Sequence, residues 1–115
     1  MSDEQASAAE AYRGFIDRVV SEVRPAAALA AADANAERAL SGLDAEGRSA
    51  LATVLQAVRD AAIHDVLAEL SWQLDTGRLE LCSGGAAIDV DEVGSGMGLH
   101  GDFVGRRDGW RWPSE

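Results

Sequence analysis

The sequence predicts an α+β fold: three N-terminal helices, the third of them long, packed on a small antiparallel sheet of two C-terminal β-hairpins. Three features of the sequence point there. Apolar residues recur at three- and four-residue steps up to residue 76. After Gly77 the period drops to two. Two turn signals, Ser83-Gly84-Gly85 and Asp108-Gly109, then divide the alternating stretch.

Residues 1–7 read as a frayed end. Over 8–23, Ala8, Tyr12, Phe15, Ile16, Val19, Val20 and Val23 fall on one helical face, and Glu10, Arg13, Asp17 and Arg18 fall mostly off it. Pro25 stops that helix or opens the next, because proline is tolerated only in a first turn. Residues 26–40 are dominated by alanine and read as a second helix ending near Ser41-Gly42. Asp44 is a suitable N-cap for the third helix, 45–75, in which Leu51, Val54, Leu55, Val58, Ala62, Val66, Leu70 and Leu74 keep helical spacing. Gly77 stands where a left-handed C-terminal cap needs glycine.

Beyond it, Leu79 and Leu81 alternate with Arg78, Glu80 and Cys82, and Ile88 and Val90 with Ala87, Asp89 and Asp91. That gives the first hairpin. The second takes DFVGR and WRW as strands around Asp108-Gly109, so that 77–115 is the hairpin region and 8–76 the helical one. At 115 residues the chain reads as a single domain, able to bury roughly two-thirds of its unfolded surface.

Composition excludes several chemistries. All ten basic residues are arginine. Without lysine there is no Walker-type phosphate loop and no Schiff base. A net charge of −10 argues against nucleic acid and anionic membranes as partners and leaves a basic protein partner or mimicry of nucleic acid open. The single cysteine, Cys82, cannot form an internal disulfide, and MSDEQASAAE lacks the apolar core of a signal peptide, which together indicate a cytoplasmic location. No apolar run reaches the length of a membrane span, and no motif calls for a cofactor.

GMGLHG, residues 96–101, spells the dinucleotide pattern G-x-G-x-x-G. Such a loop must leave a parallel strand and open a helix, whereas this one runs into an expected strand, so it reads as a glycine-rich connection. DVDEVG begins like a calcium loop with Asp89, Asp91 and Gly94, but Val93 and His100 occupy ligand positions, and an ordinary solvated turn is the simpler account. No G-x-S-x-G elbow surrounds a serine. Asp60 and His64 are four residues apart on one helix, and His100 lies next to Asp102. Were the fold to join the two histidines, either aspartate would complete a two-histidine, one-carboxylate metal set.

Arg106, Arg107, Trp110, Arg111 and Trp112 make the last thirteen residues the one region that is not acidic. They form either a tryptophan cover for the helices with arginines paired to carboxylates, or an exposed surface of the composition typical of interface hot spots.

AIHDVLAEL in the long helix together with the C-terminal GLHGDFVGRRDGWRWP resembles a group of small uncharacterised bacterial proteins that end in a similar Asp-Phe, Gly-Arg, Gly-Trp, Trp-Pro segment. The resemblance implies a bacterial, standalone domain. It draws attention to His64, Asp65, Asp102, Phe103, Arg106, Gly109, Trp110 and Trp112 without assigning roles. The functional expectation is a small cytosolic protein-binding module, a regulator, inhibitor or immunity-type protein that binds a protein partner or a second copy of itself. The alternative is a small-ligand or metal-dependent enzyme using His64 and His100 with nearby carboxylates, and the third reading is an acidic nucleic-acid mimic.

Overall fold

The computed structural model describes residues 3–113. The chain divides into two compact units: Val23–Ala62, and a terminal unit built from the residues up to Glu22 and those from Ile63 onward. No described helix is long and apolar enough to cross a membrane.

In the terminal unit, helix α1 (Asp3–Glu22) starts inside the stretch expected to fray, of which Met1 and Ser2 lie outside the described residues. Ala8, Ala9, Tyr12 and Ile16 are buried along it, the three- and four-residue spacing that one helical face requires. The core they enter is completed by Leu67, Leu99, Phe103 and Trp112. Further along, α5 (Val90–Val93) is capped by Asp89, whose side chain accepts from the backbone of Asp91 and Glu92. The run that resembles the start of a calcium loop is thus a helix cap.

Among the described residues one hairpin is present, with β1 (Cys82–Ser83) antiparallel to β2 (Ala86–Ala87) and Cys82 opposite Ala87. The second expected hairpin does not form. Residues 98–107 make helix α6 (Gly98–Arg107) instead, and the protein is correspondingly more helical than expected. The physical reason lies in spacing: Leu99, Asp102, Phe103 and Arg106 recur at helical steps, and Leu99, Asp102 and Phe103 are fully buried. Asp108-Gly109, expected to be a hairpin turn, ends this helix. Gly109 has φ +93°, the Trp110 N–H donates to the Gly105 carbonyl (2.7 Å), and the Gly109 N–H donates to Arg106 (3.2 Å). Both a tight hairpin and a Schellman cap need positive φ, so the dipeptide alone does not choose between them.

The glycines of GMGLHG therefore open a helix rather than precede a strand, contrary to expectation. A dinucleotide site is still absent from the described residues, because their only sheet is the two-stranded antiparallel hairpin and no parallel strand leads into the loop.

The Val23–Ala62 unit contains α2 (Ala26–Ala31), α3 (Ala34–Ser41) and the first part of α4 (Ala45–Asp75), whose bounds agree with the sequence expectation. The alanine-rich stretch is two helices, not one. Asp33 divides it by accepting from the N–H groups of Asn35 and Ala36 (3.0 and 2.9 Å), an N-cap competing with helix continuation. Arginines tie the ends together: Arg59 donates to the carbonyls of Val23 (2.6 Å) and Arg24 (2.9 Å), and Arg48 to those of Leu40 and Leu43 (both 3.2 Å). Ala26 is the one residue of this unit that is buried among those described.

Gly101 tests the helical assignment of 98–107. On an open helix face, Gly→Ala stabilises by about 1 kcal/mol. Here a Cβ would collide with Cβ of Met97 one turn earlier. Gly101→Ala is expected to lower stability by about 1–3 kcal/mol in urea titrations, and a gain would refute this packing.

Candidate functional site

One buried polar assembly, one part-buried one and one histidine pair gather several of the residues the sequence singles out. The first assembly centres on Asp102, which α6 points into the core with no exposure to water. Its carboxylate accepts the Tyr12 hydroxyl (2.5 Å), the Ser95 N–H (3.0 Å) and the Ser95 hydroxyl. An unpaired carboxylate there would cost several kcal/mol, and three donors offset that cost. Gly94 makes the approach possible, since a Cβ at that position would collide with Asp102 Oδ2. Burial first, then the hydrogen bond to Asp102 and the negative charges of Asp102 and Asp91, push the Tyr12 phenol far above its ordinary value. It is held as a donor.

One turn further along α6, Arg106 grips Asp17 of α1 through Nε (2.7 Å) and Nη2 (3.3 Å), and a third nitrogen donates to the Trp110 carbonyl (2.8 Å). The Trp112 indole N–H also donates to Asp17 (3.1 Å). Trp112 is buried, with the Arg13 and Arg106 guanidinium groups 5.6 and 5.3 Å from its ring and edge contacts to Tyr12 and Trp110. Trp110 is half-buried, and Arg107 and Arg111 are exposed. Arg107 pairs with Asp108 (3.0 Å), and that hydrogen bond holds the Asp108 carboxyl below its usual range. The five Arg and Trp side chains thus do not share one exposed surface. Two of them, Arg106 and Trp112, are built into the contact between α6, the C-terminal segment and α1.

His64 of α4 and His100 of α6 meet, with ring centroids 5.1 Å apart and planes at 87°. Asp65 Oδ1 lies 3.2 Å from His64 Nδ1. His100 Nδ1 is enclosed and has no hydrogen-bond partner. Beside it, Ser71 accepts from the Leu99 N–H (2.8 Å), satisfying a first-turn donor of α6 that would otherwise be orphaned. The expected carboxylates do not join. Asp102 is committed to Tyr12 and Ser95, and Asp60 is engaged by Arg59 (2.6 Å) and Gln56 (3.3 Å). Among the described residues no group of three or more His, Cys, Asp or Glu side chains is arranged to hold a metal ion. Cys82 is exposed and free.

Tyr12, Asp17, Ser71 and Ser95 are not singled out by the sequence, and Gly94 is marked there only as a glycine of the calcium-like run. Tyr12 reads there as an apolar helix-face residue and Asp17 as a solvated one. The available signal is the polar residue at an inward position, Ser71 in an apolar helix and Asp102 between Leu99 and Phe103.

The described residues define a mostly helical protein with a single small antiparallel hairpin, whose polar interior binds α1 to α6. Residues 5–114 match the model of a family of unknown function (DUF6547), and the chain belongs to that family. No curated protein and no solved structure matches it.

The Tyr12 phenol makes stability fall at alkaline pH. Its folded value lies above the ordinary 10.0, so its contribution is intact below pH 10.0 and is lost as pH rises beyond it, by about 1.4 kcal/mol per pH unit. Tyr12 is the only tyrosine. Tyrosinate absorbance should therefore appear only with unfolding, and Tyr12→Phe should remove this part of the alkaline slope. Ionisation near pH 10 in a protein that keeps its native circular dichroism would contradict the buried Tyr12–Asp102 contact.

Proposed function

We propose that this chain is a protein-binding module, a small regulator, inhibitor or immunity-type partner, and that its contact surface is the uncharged face of α4. One observation supports this reading above others. Residues 49–58, SALATVLQAV, carry no charge in a chain of net charge −10, and Val54 and Val58 on successive turns are 56% and 59% exposed. Ala50, Ala57 and Ala61 are exposed beside them.

A helix face of this kind, in a unit where Ala26 alone is buried among the described residues, leaves apolar area in water that a partner would cover. Alanines let a second helix approach closely, and the valines supply branched side chains to pack against it. Nearby, a groove of about 330 Å³ has Ala27, Leu40, Ala52 and Leu55 along it and Glu37 and Arg48 at its polar positions. Apolar floor with polar orienting groups is the usual anatomy of a recognition site. The acidic charge would disfavour nucleic acid and favour a basic or neutral protein. The lone cysteine fits a reducing cytosol.

The Arg–Trp segment is a weaker candidate because Trp112 and Arg106 already serve internal contacts. Arg107 and Arg111 would at most extend the surface.

Surface substitutions away from packed features change stability by about 0.5 kcal/mol or less. A Val54→Glu, Val58→Glu double variant should accordingly keep its helical circular dichroism and its denaturation midpoint. It should lose any partner that the parent chain is found to retain from a lysate of the native organism, or any dimer that sedimentation of the parent shows. A monomeric parent that retains nothing, or a variant that retains everything the parent does, would refute the reading.

A further inference from the structure

We infer that His64 and His100 form a two-imidazole binding site for a divalent transition-metal ion of the zinc, nickel and copper class. The two residues are far apart in sequence and are brought together because the start of α6 packs beside α4, where Ser71 receives the Leu99 N–H. Their ring centroids stand 5.1 Å apart. Two imidazoles bound through one nitrogen each to a tetrahedral ion at about 2.0 Å bring their centroids to about 5 Å, so the pair already has the separation that chelation needs.

The ring nitrogens are differentiated as ligation requires. Asp65 Oδ1 lies 3.2 Å from His64 Nδ1, and in the tautomer whose Nδ1–H donates to it the lone pair is on Nε2. A carboxylate on the far nitrogen of a histidine is the outer-shell arrangement that orients metal-bound imidazole and raises its basicity. On His100, Nδ1 is enclosed without a hydrogen-bond partner. A buried nitrogen of this kind is uncommon in a folded chain, and an ion bound to it would give it a partner. The His64 side chain is 41% exposed and can turn to admit the ion.

Two protein ligands define an open site. Waters or a further ligand would fill the remaining positions, and no third His, Cys, Asp or Glu among the described residues joins the set. Imidazole donors without thiolate or clustered carboxylate favour copper, nickel and zinc over calcium and magnesium, with copper tightest in the usual order. The inference concerns the terminal unit alone and does not depend on the α4 face proposed above.

The experiment is calorimetric titration of the tag-free chain, in a Cys82→Ser background that removes the exposed thiol, with zinc and with nickel chloride at neutral pH. The visible spectrum of the cobalt-loaded chain reports coordination geometry. One ion per chain is expected, with tetrahedral cobalt bands. Affinity should fall by about 10-fold in Asp65→Asn, which keeps the histidines, and by more in His64→Gln. His64 is partly exposed, so His64→Gln keeps the fold, which circular dichroism verifies; His100→Gln, at the more enclosed position, is the second variant. Absence of binding, or one-to-one binding that both glutamine variants leave unchanged, would overturn the inference and reduce the pair to an edge-to-face ring contact.

Discussion

The terminal unit depends on one buried carboxylate. Asp102 has no exposure, and its placement is tolerable only because α1 brings the Tyr12 hydroxyl and the loop ahead of α6 brings both donors of Ser95. These partners fix the register of α6. With Asp102 turned inward, Leu99 and Phe103 are carried into the core beside it, and Arg106 comes round one turn later to meet Asp17. The two polar ties therefore lie on one face of α6, with Phe103 between them in sequence. Gly94 belongs to the same constraint, since the loop reaches the carboxylate only where no side chain intervenes. Directional bonds of this kind select a single arrangement more sharply than apolar contact, which tolerates sliding.

How far the fold is legible depends on how redundant each local signal is. For α4, a capping aspartate, a long run of helical spacing and a terminal glycine agree, and the sequence places its bounds correctly. The first hairpin is legible from Gly84-Gly85, although only two residues pair on each side. The last helix is hidden because DFVGR is short enough to fit either period and Asp108-Gly109 serves either ending. Its true signal runs from Leu99 to Arg106, and is visible only when the glycine-rich segment and DFVGR are taken as one stretch. The break at Asp33 is masked by alanine, which favours helix so strongly that a competing cap does not stand out.

The site is less legible than the fold because its key contacts join distant residues. Tyr12 and Asp102 are ninety positions apart, and Asp17 and Trp112 ninety-five. No spacing rule reaches so far. The residue types are nonetheless informative: a tyrosine or tryptophan that enters a core needs a partner for its polar end, and in both cases an aspartate supplies it. Three of the arginines share a pattern as well. Arg48 and Arg59 serve carbonyls at helix ends and Arg106 serves a carboxylate and a carbonyl, roles for which a planar, five-donor group is better suited than lysine.

The placement of function is governed by which groups the fold has already committed. Tyr12, Asp102, Asp17, Arg106 and Trp112 are engaged in internal hydrogen bonds, so a ligand that took those partners would have to break contacts that hold α6 to α1. Groups whose chemistry the fold does not use are of a different kind: an imidazole nitrogen enclosed without a partner, and a run of uncharged helix with valines in water. Local rules are obeyed nearly everywhere else in the described chain, with helix starts capped at Asp33, Asp44 and Asp89 and turns at glycine. Departures from such consistency concentrate where a sequence serves binding as well as folding. The two departures here lie on different units and differ in chemistry, one an imidazole nitrogen and the other an apolar helix face, so neither explains the other.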